Sequence, residues 1–187
     1  EAEIDYHDKL YWNSNEPKIS DEEYDLLKSE LRVLDPTNPR VTKVHAQVTN
    51  SAISKYQHKN PMLSLDKFYS KDLIIGWMNK ISRHDKELFK IQLKLDGIAS
   101  KLEDSRLSTR GDGLEGEEHT SKIPFIKFNI KENQNPQLGE IIITDSFFEK
   151  NLKERYKNSR AATVGLMSKI VVDEIKDCGL EFVDYNI

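Results

Sequence analysis

The sequence predicts an α+β fold in which a small helical module precedes a sheet domain, and three observations carry that prediction. Up to about residue 34 the apolar residues recur near every 3.6 positions. Around residue 89 the apolar period changes to 2, as a half-buried strand requires. Further short apolar runs at 139–143 and 179–185 flank another helical pattern, and that order of elements suits an α+β sheet domain.

The elements follow in chain order. Ile4, Tyr6, Leu10 and Tyr11 lie at helical spacing, and Asn13–Pro17 (NSNEP) breaks the pattern. Ser20 followed by Glu23 forms a capping box that can satisfy the free amides of a helix start, and Tyr24, Leu27, Leu31 and Leu34 then make one apolar stripe that Pro36 ends. Residues 37–60 are polar and without sustained period, which predicts a linker with short strands. Ser70 is placed to cap a helix whose apolar face holds Leu73, Trp77 and Ile81. In LFKIQLKLDG, Phe89, Ile91, Leu93 and Leu95 alternate with Lys90, Gln92, Lys94 and Asp96, predicting a strand with one core face and one polar face. GEIII (139–143) predicts another strand, leading to a capped helix from Ser146 with Phe148, Leu152 and Tyr156 along one side. GLEFVDY (179–185) predicts a last strand.

Composition narrows the class. A chain of 187 residues can bury one good core with a small appendage. With 37% apolar and 32% charged residues and a net charge of -4, it reads as globular rather than disordered. Its 28 basic and 32 acidic residues nearly cancel, so a polyanion would have to bind a local patch. No apolar run approaches the roughly 20 residues that cross a bilayer, and EAEIDYHDKL lacks signal-peptide character, so a cytoplasmic protein is expected. The single Cys178 can form neither an internal disulfide nor a multi-cysteine zinc site, and a buried spectator thiol is the expectation.

Two stretches carry chemistry. Lys94 and Asp96, two apart on a strand and followed by Gly97, read either as an edge-strand ion pair or as a nucleophilic amine beside an orienting carboxylate. As a nucleophile, Lys94 would need a neutral amine, favoured by burial or by a neighbouring cation such as Arg110. Thr109-Arg110-Gly111-Asp112-Gly113 reads either as a hairpin turn or as a tight turn bringing backbone and a guanidinium fork to phosphate or ribose oxygens.

Taken together, several motifs in order resemble the N-terminal part of the NAD-dependent DNA ligases. ISDEEYD (19–25), with Tyr11 and Pro17, resembles the signature of the family's small helical domain, and PMLSLDKFYS (61–70) resembles a loop of its adenylate pocket. KLDG (94–97) resembles the motif whose lysine becomes adenylated, TRGDGLEGEEHT (109–120) the turn with the nucleotide-binding arginine, and LGEIII (138–143) the strand with a ribose-contacting glutamate. NSRAATVG (158–165) is a variant of a further family segment.

The resemblance covers nearly the whole chain, and it implies a helical domain over 1–36 and a nucleotidyltransferase fold of antiparallel sheets and helices over 37–187, incomplete at its C-terminal end. It implies that Lys94 takes adenylate from NAD and passes it to a 5′-phosphate at a nick in duplex DNA, with Mg2+ offsetting phosphate charge. Tyr11, Asp21, Tyr24 and Asp25 would hold the nicotinamide end, and Ser64, Leu65, Gln92, Asp96, Arg110 and Glu140 the adenosine end. Arg160 would meet phosphate or DNA. Tyr24 also has a packing reading on the Leu27 stripe, and Asp21 and Asp25 a helix-start reading. A monomer with no membrane and no protein-held metal is expected. Gln92 stands where the family has glutamate, Trp12 where it has tyrosine or histidine, Leu138 where it has arginine and Ala161 where it has asparagine. An ATP-using polynucleotide ligase would share KLDG but has no use for ISDEEYD, and a silent nucleotide- or DNA-binding module is the third reading.

Overall fold

The computed structural model describes residues 2–10, 18–42, 52–84, 86–130 and 135–186. They fall into two compact units, one of Glu1–Met62 with Leu95–Ile187 and one of Leu63–Lys94.

In the first unit, α1 (Ala2–Lys9) and α2 (Asp21–Leu34) are antiparallel partners, and α3 (Pro39–Thr42) follows. The capping box forms: Ser20 Oγ accepts from Glu23 N at 3.2 Å, and Ser20 N donates to Glu23 Oε2 at 2.8 Å. Ile4 and Leu31 are buried, and the Tyr24 hydroxyl donates to Asp8 Oδ1 at 2.5 Å across the helix pair. Arg40 reaches back to Asp5 with a bidentate pair at 2.6 and 2.7 Å. The predicted stripe ends early, because Leu34 is 82% exposed at the last turn. The Asn13–Pro17 break lies outside the described residues.

Among the described residues, the polar stretch before Pro61 holds α3 and a short strand, β1 (Lys55–Gln57). The second unit is built on α4 (Lys71–Ile81), capped by Ser70 Oγ accepting from Leu73 N at 3.3 Å. Trp77 lies between two rings, 5.8 Å from Phe68 and 6.1 Å from Phe89. The predicted strand over 89–95 does not form, and Ile91 and Leu93 are 95% and 91% exposed. Alternation permits a strand, but a strand is stabilised by its pairing neighbours. Among the described residues no strand forms a ladder with this segment, and Phe89 meets the Trp77 ring instead.

The rest of the first unit carries the sheet: β2 (Ile98–Glu103), β3 (Arg106–Thr109), β4 (Glu115–Glu117), β5 (Lys127–Asn129), β6 (Gln137–Ile143) and β7 (Leu180–Asp184). Its five-stranded order is β3–β2–β6–β7–β5, antiparallel except for the parallel β5–β7 pair, and β1 pairs β4 separately. A two-residue turn joins β2 to β3, with Asp104 and Ser105 both at positive φ (50° and 62°), the backbone that a tight hairpin requires. The Asn135 side chain holds Asp104 there, accepting from its amide at 3.0 Å and donating to its carboxylate at 2.7 Å.

One sheet face is the core. Ile141 and Ile143 of β6 and Leu180 and Phe182 of β7 pack on α5 (Asp145–Asn151) and α6 (Ser159–Met167) through Phe148, Leu152, Ala162, Leu166 and Met167. Burial of each such large side chain contributes roughly 1.5–3 kcal/mol, which is what orders this face. Helix α5 starts one residue before the predicted Ser146, because Thr144 provides the cap by accepting from Phe147 N at 3.4 Å. Cys178 is partly buried, its thiol donates to Glu174 O at 3.6 Å, and burial pushes its titration up.

Candidate nucleotide site

On the opposite sheet face one row of paired residues crosses three strands. Ala99 of β2 is opposite Glu140 of β6, and Glu140 is opposite Val183 of β7. Arg110 extends the row, since its amide donates to Ala99 O at 2.8 Å just past the end of β3. Residues directly opposite in an antiparallel ladder share a face, so Arg110 and Glu140 are brought to the same side of the sheet.

Tyr185 completes the group. Its amide donates to Leu138 O at 2.9 Å, and its hydroxyl donates to Glu140 Oε2. Burial and that donation push the Tyr185 titration well up, while the Arg110 charge works in the other direction. A cation, a carboxylate and a hydroxyl on one partly open face form a donor and acceptor set that suits the hydroxyls and phosphate of a nucleotide. The letters gave Arg110 and Glu140. Tyr185 escaped sequence reasoning because only the register places the end of β7 beside Glu140.

The turn carrying Arg110 is a hairpin turn, closed by Gly113 N donating to Arg110 O at 3.0 Å and Asp112 N donating to Glu115 O at 3.1 Å. Gly111 sits at φ 58°, where a Cβ would lie 1.8 Å from Glu115 O. Asp112 Oδ1 accepts from Leu114 N at 2.9 Å and from Glu115 N at 2.8 Å, closing the loop into β4.

Gly97 of the KLDG motif is buried against β6, where a Cβ would meet Ile141 O at 2.1 Å. Its neighbour Asp96 is exposed and pairs with Arg160 at the start of α6, 3.3 Å from Nη1. Arg160 itself follows the Asn158 cap, whose side chain accepts from Ala161 N at 2.7 Å.

Ser64, Leu65, Gln92 and Lys94 are exposed residues of the second unit. Tyr24 and Asp25 lie on α2, whose first residue is Asp21, and the Tyr24 hydroxyl is taken up by Asp8. Tyr24 thus pins the helix pair, as its packing reading anticipated. Tyr11 and Trp12 lie outside the described residues. Among the described residues no three His, Cys, Asp or Glu side chains cluster to hold a metal, and no helix is long and apolar enough to cross a membrane.

Residues 50–187 match the family of the NAD-dependent DNA ligase adenylation domain. A DNA ligase of Wolbachia pipientis wMel is 32% identical over 199 residues, covering 99% of this chain and 30% of that protein. One from Endomicrobium trichonymphae is 32% identical over 191 residues, covering 87% and 28%. One from Desulfatibacillum aliphaticivorans is 30% identical over 186 residues, covering 93% and 29%. The chain thus spans less than a third of the length of these relatives.

Proposed function

The chain belongs to the NAD-dependent DNA ligase adenylation-domain family, and from that premise we propose that it is the part of a DNA ligase that loads adenylate from NAD onto Lys94. The Arg110–Glu140–Tyr185 group on one sheet face is the observation that carries the reading. In this reading the neutral amine of Lys94 attacks the α-phosphorus, an N–P bond forms, the P–O bond to nicotinamide mononucleotide breaks, and the ammonium proton leaves to solvent. Arg110 and Glu140 hold the ribose. Gln92 accepts from the adenine amino group through its amide carbonyl, a weaker bond than a carboxylate would make.

Ser64 and Leu65 line the adenosine side, Asp96 orients the phosphate end with Arg160, and Tyr11, Asp21, Tyr24 and Asp25 receive the nicotinamide half. Residues 1–36 form the helical domain for that half, and residues 37–187 the nucleotidyltransferase domain. Mg2+ would be held mainly by phosphate oxygens, as this ion usually is. The whole protein would then pass adenylate to the 5′-phosphate of nicked duplex DNA and seal the nick, as a cytoplasmic monomer in replication and repair.

The test is mass spectrometry of the whole protein after incubation with Mg2+ and either NAD or ATP. The expected result is a covalent adenylate from NAD alone, lost in Lys94→Ala and blocked with NAD in Asp25→Ala and Tyr24→Ala. Adenylation from ATP, or none from either nucleotide, would refute the proposal.

A further inference from the structure

We infer that His58 is a positioning residue for Arg110: its imidazole holds the carbonyl of the arginine from outside the site and so sets where the guanidinium meets the ribose. His58 Nε2 lies 3.1 Å from Arg110 O, across 52 residues of chain. Two backbone bonds accompany it, His58 N to Leu114 O and Met62 N to Gly113 O, both at 2.8 Å. Segment 58–62 is therefore laid along the whole of turn 110–114. Arg110 O also accepts from Gly113 N at 3.0 Å, a bond internal to the turn, so the turn keeps its shape without His58. What His58 adds is the anchorage of that turn to a fixed neighbour.

The neighbour is fixed in its turn. The Tyr56 ring meets His58 edge-on at 5.8 Å, its hydroxyl donates to Glu103 at 3.3 Å, and Arg106 stacks over it at 4.9 Å. Lys101, 1% exposed on β2, donates to Asn60 O at 3.3 Å and faces Glu103 at 3.6 Å. The strap from Tyr56 to Asn60 is thus tied to the half of β2 beyond Ala99.

The protonation state follows from the same geometry. A bond to a carbonyl needs the hydrogen on Nε2, leaving Nδ1 as a bare acceptor, and Nδ1 is enclosed without a partner. A second proton there would be an unpaired buried donor next to Lys101. Burial accordingly pushes the His58 titration down, against the bond to Arg110 O. His58 is thus a neutral donor aimed at the backbone of the Arg110 turn, with Arg110 O as its nearer acceptor and the Thr109 backbone beside it.

This inference takes over the reading that Arg110 holds ribose, and the experiment separates the two. In the whole protein, KM for NAD and kcat of Lys94 adenylation are measured for wild type, His58→Leu and His58→Gln, with thermal unfolding of each. His58→Leu removes the donor at similar volume, whereas the Gln amide nitrogen can reach the place of Nε2. The expected result is a KM about tenfold higher in His58→Leu with kcat within about twofold, and a KM restored to within about threefold in His58→Gln. In an Arg110→Ala background, His58→Leu should change KM no further, because its effect runs through that arginine. An unchanged KM in His58→Leu, a defect that Gln does not repair, or additive effects in the double variant would overturn the inference while Lys94 still takes adenylate. Absence of adenylation in the wild type would overturn the reading of the site and this inference with it.

Discussion

Replacing Gly97 with alanine probes a close backbone approach beside the candidate site. The new Cβ would lie 2.1 Å from Ile141 O, 2.8 Å from Ile142 Cγ2 and 3.0 Å from the Ile141 carbonyl carbon. Ordinary contact begins at 3.4 Å, so the start of β2 must withdraw from β6 by 3.4 − 2.1 = 1.3 Å. Hydrogen bonds near 2.9 Å do not survive that displacement, and the Ile98–Ile141 pairing is lost. One or two ladder bonds at about 1 kcal/mol each, with overpacking of about 1–3 kcal/mol, total roughly 2–5 kcal/mol. At about 2–4 °C per kcal/mol for a chain of this size, Tm should fall on the order of 10 °C by circular dichroism. Gly76→Ala in α4 is the matched control, since nothing lies within 4 Å of its added methyl and alanine is the better helix former by about 1 kcal/mol. A Gly97→Ala protein melting within about 2 °C of wild type would refute the close approach.

Lys101→Met should destabilise by about 3 kcal/mol, because it leaves the buried Glu103 carboxylate without its cation, whereas Lys101→Met with Glu103→Leu should return close to wild type in urea unfolding. A double variant as unstable as the single one would contradict this account. His119 is 1% exposed, and burial pushes its titration below the ordinary value despite Glu117 at 3.3 Å. The unfolded chain therefore binds the extra proton more readily, so this contribution is fully present above about pH 6.5 and is lost as pH falls toward the folded-state value. His119→Leu should flatten that acid-side slope below about pH 6.5, and an unchanged slope would point to other groups.

What the sequence disclosed was what is decided locally. Ser20 with Glu23, and Ser70, are caps closed within three residues, and Ile141–Ile143 and Leu180–Phe182 keep a strand pattern whichever neighbours they find. The segment 89–95 shows the same alternation, yet a ladder needs a second chain segment, and no local pattern names one. Buried polar residues were hidden for a related reason. Lys101 and His58 resemble surface residues until Asn60 and Arg110 arrive from distant parts of the chain. The site was legible as letters at Arg110 and Glu140, but their shared face depends on the register Ala99–Glu140, which is a property of the sheet.

The parallel pair Lys127–Asn129 beside Glu181–Val183 has a consequence for how the molecule is made. Phe128 stacks 5.3 Å from Phe182, a residue that leaves the ribosome 54 positions later, so the edge strand has nowhere to dock until synthesis of this region is almost finished. Until then both Phe128 and the outer backbone of Gln137–Ile143 are open to other nascent chains. A premature stop before Leu180 would make that transient exposure permanent, and such a product should be cleared or should aggregate even though every residue of Lys94–Glu140 is intact.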